Sequence, residues 1–201
     1  MERLLKIVDY LIVAPGFNDN VARCYSLPNI TCELFCSDVI AISRHLINEE
    51  VVGKGLHERM RRKRSEMIIV QIQEYPLLDK IVSYFNVQTW YKLTPLNVTL
   101  AGYIHKIISF WLIKRPEVIL TYLMQSKNFI QNLFCHLNLS TSVTDILVRL
   151  CTMPNIERVD PATYQTMRAE LIQYAINALD HYQSDDFITQ QIMELFSTII
   201  K

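Results

Sequence analysis

Apolar residues recur at three- and four-residue steps along most of the chain, and no strand signal interrupts them, so the pattern predicts one helix after another. The clearest stretch runs from Leu93 to Met153. Thr94 is placed to cap a helix with its hydroxyl, and Pro95 suits the first helical position, where its missing N–H costs nothing. Leu96, Leu100, Ile104, Ile107, Ile108, Trp111 and Leu112 then form one apolar stripe, with Lys106, Ser109 and Lys114 off its centre. Pro116 cannot continue this helix without a clash and a lost hydrogen bond, so it ends near Arg115 and Pro116-Glu117 opens the next. Val118 to Met124 and Phe129 to Leu137 read as short helices separated by Gln125-Ser126-Lys127-Asn128. Ser142-Val143-Thr144-Asp145 reads as a cap ahead of Ile146, Leu147 and Leu150.

The flanking segments follow the same logic. Glu2 to Val13 is a short amphipathic helix with Leu4, Leu5, Val8, Leu11 and Ile12 on one side, stopped by Pro15-Gly16. Pro28 fits the first turn of a long helix to about Ile47, with Ile30, Leu34, Ile42 and Leu46 as its stripe. Glu49 to Glu74 is uneven: Gly53-Lys54-Gly55 interrupts it, a basic run follows, and Met67-Ile68-Ile69-Val70 restores apolarity. Pro76 starts a helix containing Leu77, Leu78, Ile81, Val82 and Phe85. Asp160-Pro161 precedes Tyr164, Met167, Leu171, Tyr174, Ala175, Ala178 and Leu179 at helical spacing. A final helix from about Asp186 carries Phe187, Ile188, Ile192, Leu195, Phe196, Ile199 and Ile200. Helices joined by turn-sized connections predict an all-α fold, an irregular armadillo- or HEAT-like helical-repeat solenoid forming a single domain over residues 1–201. Terminal elements of such an array need a polar outer face, yet the first and last helices are strongly apolar on one side. Either they fold inward or an end is a contact surface or a truncation edge.

Composition narrows the function classes. Half of the 201 residues are hydrophobic and only four are glycine, which excludes disorder, and twenty Lys and Arg balance twenty Asp and Glu, which excludes a global nucleic-acid charge footprint. The sequence shows neither a secretory leader nor a run of eighteen apolar residues, so the expected setting is cytoplasmic, with the nucleus also open, and no membrane partner. Cys24, Cys32, Cys36, Cys135 and Cys151 are then expected as reduced thiols rather than disulfides. The tripeptides Asn29-Ile30-Thr31, Asn97-Val98-Thr99 and Asn138-Leu139-Ser140 are coincidental matches to the glycosylation acceptor.

Candidate chemistry is sparse. Cys32 and Cys36 lie one turn apart with Cys24 and His45 nearby, but zinc usually takes tighter pairs brought together by turns, and cysteine is a favoured small core residue. Cys135-His136 does not suit a nucleophile and base, because adjacent helical residues point about 100° apart; a core thiol and a surface imidazole are expected. Gly53-Lys54-Gly55 lacks the spacing and following hydroxyl of a phosphate-binding loop. No cofactor or metal is expected. The densest charge is Arg59, Arg61, Arg62, Lys63 and Arg64, which fits an import signal, a phosphate-backbone patch, a dock for acidic residues or a solvated face.

Three stretches resemble a known family. Tyr25 to Ile42, with Cys32-Glu33-Leu34-Phe35-Cys36-Ser37-Asp38-Val39 at its centre, is similar to its tyrosine-rich stretch. Thr99-Leu100-Ala101-Gly102-Tyr103-Ile104-His105-Lys106-Ile107-Ile108 with Lys114-Arg115-Pro116-Glu117, and then Ser142 to Leu150, resemble two further blocks in family order. The family is that of the SAPS domain, which defines regulatory subunits of protein phosphatase 6 and its yeast relative. The blocks cover about residues 25–153 of a shortened or partial version, and 49–74 reads as a basic insertion. The resemblance implies a non-catalytic scaffold rather than an enzyme. It would bind a serine/threonine protein phosphatase catalytic subunit, direct it to substrates and engage ankyrin-repeat subunits, the chemistry lying in the partner's metal site. Lys106, Arg115 and Arg149 fall inside the blocks as candidate partner-binding residues, or equally as structural residues pairing with carboxylates. The alternative is a helical-repeat adaptor of nucleic-acid or nuclear-transport machinery acting through residues 59–64. That run lacks interleaved aromatics, so base stacking has little support.

Overall fold

A computed structural model of the chain describes residues 2–37, 75–86, 96–126, 128–137, 141–154, 159, 161–182 and 184–199. Among them every regular element is helical: α1 (Glu2–Ile12), α2 (Leu27–Phe35), α3 (Pro76–Val82), α4 (Val98–Lys114), α5 (Pro116–Gln125), α6 (Phe129–Cys135), α7 (Thr141–Thr152), α8 (Pro161–His181) and α9 (Asp186–Ile199). A π turn over Ala22–Ser26 leads into α2, and a 3-10 turn over Ser83–Phe85 extends α3. The all-α expectation is borne out.

The expected stripe of α4 is its core face, for Leu100, Ile104, Ile107, Ile108, Trp111 and Leu112 are all buried, joined by Ala101. The helix ends where Pro116 forces it to: Arg115 leaves helical geometry (φ −141°, ψ 57°) and serves at once as the C-cap of α4 and the N-cap of α5. The start differs from the expectation at Thr94. Leu96 and Asn97 are still outside the helix, and Asn97 caps it, its side chain accepting the Leu100 N–H at 3.2 Å. Asparagine caps at least as well as threonine. The Tyr84 hydroxyl also donates to the Asn97 carbonyl at 2.8 Å, pinning that residue to the 3-10 turn.

Helix α2 departs further. Pro28 lies in its first turn as expected, but the helix stops at Phe35 instead of running to Ile47. Cys36 adopts φ −90°, ψ 7°, and the Ser37 hydroxyl donates to the Leu34 carbonyl at 2.6 Å, a local bond that competes with helical continuation. Its buried face is Pro28, Thr31, Cys32 and Phe35 rather than Ile30 and Leu34, and Ile30 is 61% exposed. Thr31 can join that face because its hydroxyl donates to the Leu27 carbonyl at 2.7 Å. Ile42 and Leu46, like the Gly53-Lys54-Gly55 break, lie outside the described residues. Helix α7 begins at Thr141, so Ser142 sits inside its first turn instead of capping it.

The arrangement of helices follows from named contacts. Cys32 of α2 meets Tyr103 of α4, Glu33 meets Lys106, and Phe35 meets Trp111, so the residue order advances in the same direction along both helices. Gly102 of α4 lies beside Ser142 of α7, and His105 beside Asp145 and Arg149, again in the same direction. Helices α2, α4 and α7 therefore run parallel in one row, which α9 extends by packing on α7. The second row takes α1, α3, its 3-10 turn, α6 and α8. Helices α4, α7 and α9 start roughly 40 to 45 residues apart, while α2 starts about 71 residues before α4, so the row carries no regular repeat among the described residues.

Both outer helices fold inward. Val8 and Leu11 of α1 are fully buried against the core, and Lys80 of α3 clamps α1 through the Leu5 carbonyl (2.6 Å) and the Asp9 carboxylate (2.8 Å). Ile188, Ile192 and Leu195 of α9 are buried against α7 and α8, whereas Phe187, expected in the stripe, is half exposed.

Candidate functional site

Among the described elements, α4 is flanked by α2 on one side and α7 on the other. Lys106 projects from α4 toward α2, where its ammonium pairs with the Glu33 carboxylate at 2.5 Å, both side chains about half exposed. That hydrogen bond raises the lysine pKa above its ordinary value, so Lys106 is charged throughout the physiological range. One residue earlier, His105 turns toward α7 and is half-buried. Burial lowers its pKa, Asp145 opposes that shift and Arg149 reinforces it, so His105 is neutral at pH 7 between two opposite charges. Arg149 is itself half-buried on α7. Arg115 is exposed at the α4–α5 joint, nine residues and roughly 13 Å beyond Lys106 along the axis. The structure thus sets Lys106 and Arg149 on opposite flanks of α4 and Arg115 at its far end; it does not gather them into one cationic pocket. The basic run Arg59, Arg61, Arg62, Lys63 and Arg64 lies outside the described residues.

The cysteines and histidines are mostly structural. Cys32, Cys135 and Cys151 are buried thiols, and burial raises the pKa of Cys151 to about 11. The expected surface position of His136 is wrong: the ring is buried, 3% exposed, with Nε2 3.2 Å from the Phe85 carbonyl. A carbonyl only accepts, so Nε2 carries the proton and Nδ1, which has no partner among the described residues, is bare. Burial holds the His136 pKa below its ordinary value. The position was not legible because its partner is 51 residues away in sequence. No group of three or more His, Cys, Asp or Glu side chains that could hold a metal occurs among the described residues, and no described helix is long and apolar enough to cross a membrane. Two of the acceptor tripeptides are used by the fold itself: Thr31 is buried within α2 and Asn97 caps α4.

Two features had no expectation attached. A cleft of about 240 Å³ opens where α5 ends, between α6 and α8, lined by Met124, Ser126, Asn128, Phe129, Glu170 and Tyr174. Asn128 bends the chain there through a left-handed conformation (φ 62°). The other is a set of exposed apolar side chains, Val13, Phe17, Val21 and Tyr25 along the approach to α2 and Ile30 within it. Arg23 holds that approach against α1, its guanidinium donating to the Val13 carbonyl at 2.6 Å and lying over the Tyr10 ring at 5.2 Å.

No family model matches the chain, and no solved structure matches it. Among curated proteins it is 28% identical over 151 residues to serine/threonine-protein phosphatase 6 regulatory subunit 3 of Gallus gallus, a match covering 75% of this chain and 14% of that protein. It is 26% identical over 187 residues to regulatory subunits 3-A and 3-B of Xenopus laevis, covering 92% of this chain and 18% of each. The chain therefore spans less than a fifth of the length of these relatives. The likeness first read from three short blocks extends over most of the chain: in sequence it is similar to part of the phosphatase 6 regulatory subunits.

Proposed function

We propose that the chain is a non-catalytic regulatory scaffold that binds a phosphatase 6-type serine/threonine protein phosphatase catalytic subunit and directs it to substrates. The observation that carries this reading is the similarity of nine-tenths of the chain to proteins named as regulatory subunits of that phosphatase. Geometry supports it: a parallel row of helices is a stiff, extended wall, and folds of this kind bind partners along such walls. This part of the row combines a charged lysine, a half-buried arginine and an exposed arginine, a composition suited to a protein partner. Ankyrin-repeat subunits are candidate third components, and the cytoplasm, with access to the nucleus, is the setting this reading gives.

The test is co-elution of purified chain with purified phosphatase 6-type catalytic subunit on size-exclusion chromatography, followed by titration. The expected result is a one-to-one complex that survives moderate salt. Lys106→Glu combined with Arg149→Glu should weaken it at least tenfold while leaving the helical circular dichroism unchanged. Separate elution at micromolar concentrations of both proteins would overturn the proposal.

A further inference from the structure

The cleft between α5, α6 and α8 exists because the chain does not run straight on from α5 into α6. Asn128 turns it there in a left-handed conformation (φ 62°), and the end of α5 borders the opening that results. The last four carbonyls of a helix have no partner within it and carry the negative end of its dipole. In α5 they belong to Tyr122, Leu123, Met124 and Gln125, and among the described residues only the Tyr122 carbonyl is taken by a backbone N–H, that of Ser126 at 2.9 Å. Helical carbonyls point along the axis toward the C-terminus, and Leu123, Met124 and Gln125 all line the cleft.

The rest of the wall adds acceptors and carbon. Glu170 of α8 brings an exposed carboxylate that has no ion-pair partner among the described residues. The side-chain amides of Gln125, Asn128 and Gln131 each bring a carbonyl oxygen. Tyr174, stacked on Phe134 with ring centroids 6.0 Å apart, contributes a fixed aromatic ring, and Met124 an adaptable thioether chain. No described residue of the wall is cationic, and Lys127 lies outside the described residues. The volume of about 240 Å³ is below the roughly 300–1,000 Å³ of sites that enclose a whole small molecule, so the cleft suits a single side chain delivered from outside.

We propose that this cleft receives an arginine side chain of a protein partner. A guanidinium carries five N–H donors in one plane and no acceptor. The cleft supplies the complement: helix-end carbonyls, the Glu170 carboxylate and amide oxygens for the donors, and the Tyr174 ring for the plane to lie against. An ammonium has three donors and would leave more of these acceptors to water. A carboxylate or phosphate would meet Glu170 and the negative end of α5, and is disfavoured on both counts. The site lies apart from Lys106, Arg149 and the row of α2, α4 and α7, and the proposal does not depend on the phosphatase reading.

The experiment places an isotope label on the methionine methyl groups of the full chain and follows the Met124 signal by NMR, assigned with Met124→Leu, while arginine blocked at both ends as its N-acetyl methylamide is titrated in. That probe keeps the side chain and removes the backbone charges of the free amino acid. The expected result is a saturable shift of the Met124 signal with a millimolar midpoint, and none with blocked citrulline, which has nearly the same shape without the charge. Glu170→Gln, at an exposed position, should weaken binding about fivefold, the upper end for an exposed ion pair. Equal shifts with arginine and citrulline, a Met124 signal that does not move, or unchanged affinity in the Glu170 variant would overturn the proposal. Tighter binding of free arginine than of the blocked form would assign the site to the amino acid itself and overturn the partner's side chain as its occupant.

Discussion

Replacing Trp111 with phenylalanine isolates the bond that fastens α2 to α4. The indole Nε1–H donates to the Phe35 carbonyl at 2.8 Å, in a site where Trp111 is 2% exposed. Phe35 is the last residue of α2, and helix-end carbonyls have no partner within their own helix. Phenylalanine removes the donor and leaves a buried acceptor bare, costing about 1–3 kcal/mol. The smaller ring also loses roughly 40 Å² of buried apolar contact, about 1 kcal/mol at the usual area coefficient. The expected destabilisation is therefore about 2–4 kcal/mol. Urea denaturation followed by circular dichroism at 222 nm reads it directly, with Trp111→Ala as a reference expected to cost about 3–5 kcal/mol. A phenylalanine variant within about 0.5 kcal/mol of the unaltered chain, inside ordinary surface-mutation scatter, would refute the view that this hydrogen bond fixes the register of the row.

Other expectations follow from single sites. His136 and His105 both have pKa values below the ordinary histidine value in the fold, so the unfolded chain binds more protons; stability should be full above about pH 6.5 and decline as pH falls below it. In urea titrations from pH 7.5 to 5, His136→Gln should flatten that decline, and an unchanged slope would count against His136 as a contributor. Gly102→Ala should stabilise the chain by about 0.5–1 kcal/mol, since the new β-carbon meets Ser142 Oγ at an ordinary 3.7 Å within a helix; thermal melts would show a raised midpoint. Asn97→Ala removes the α4 cap and should cost about 1 kcal/mol in the same assay.

What could be read in advance was whatever depends on neighbours along the chain. Pro116 ends α4 because of its own missing N–H, and the stripes of α3, α4 and α8 follow helical spacing, so Leu77, Ile81, Ile104, Trp111, Met167 and Leu171 were identifiable as core. Features set by distant partners were not. Asn97 outcompetes Thr94 with help from Tyr84, Thr31 enters the core because its hydroxyl is satisfied locally, and His136 is drawn inside by the Phe85 carbonyl. The same distinction governs the candidate site. Lys106 and Arg149 were visible as members of family-like blocks, but their placement on opposite flanks of α4, one paired with Glu33 and one beside His105, depends on the packing of α2 and α7.

The most direct test of the wall formed by α2, α4 and α7 as a docking surface is hydroxyl-radical footprinting of the chain alone and mixed with a phosphatase 6-type catalytic subunit. Protection concentrated on Lys106, Arg115, Arg149 and the exposed side chains around them is the expected result. Equal labelling of those residues in the two samples, with a complex demonstrably present, would contradict it.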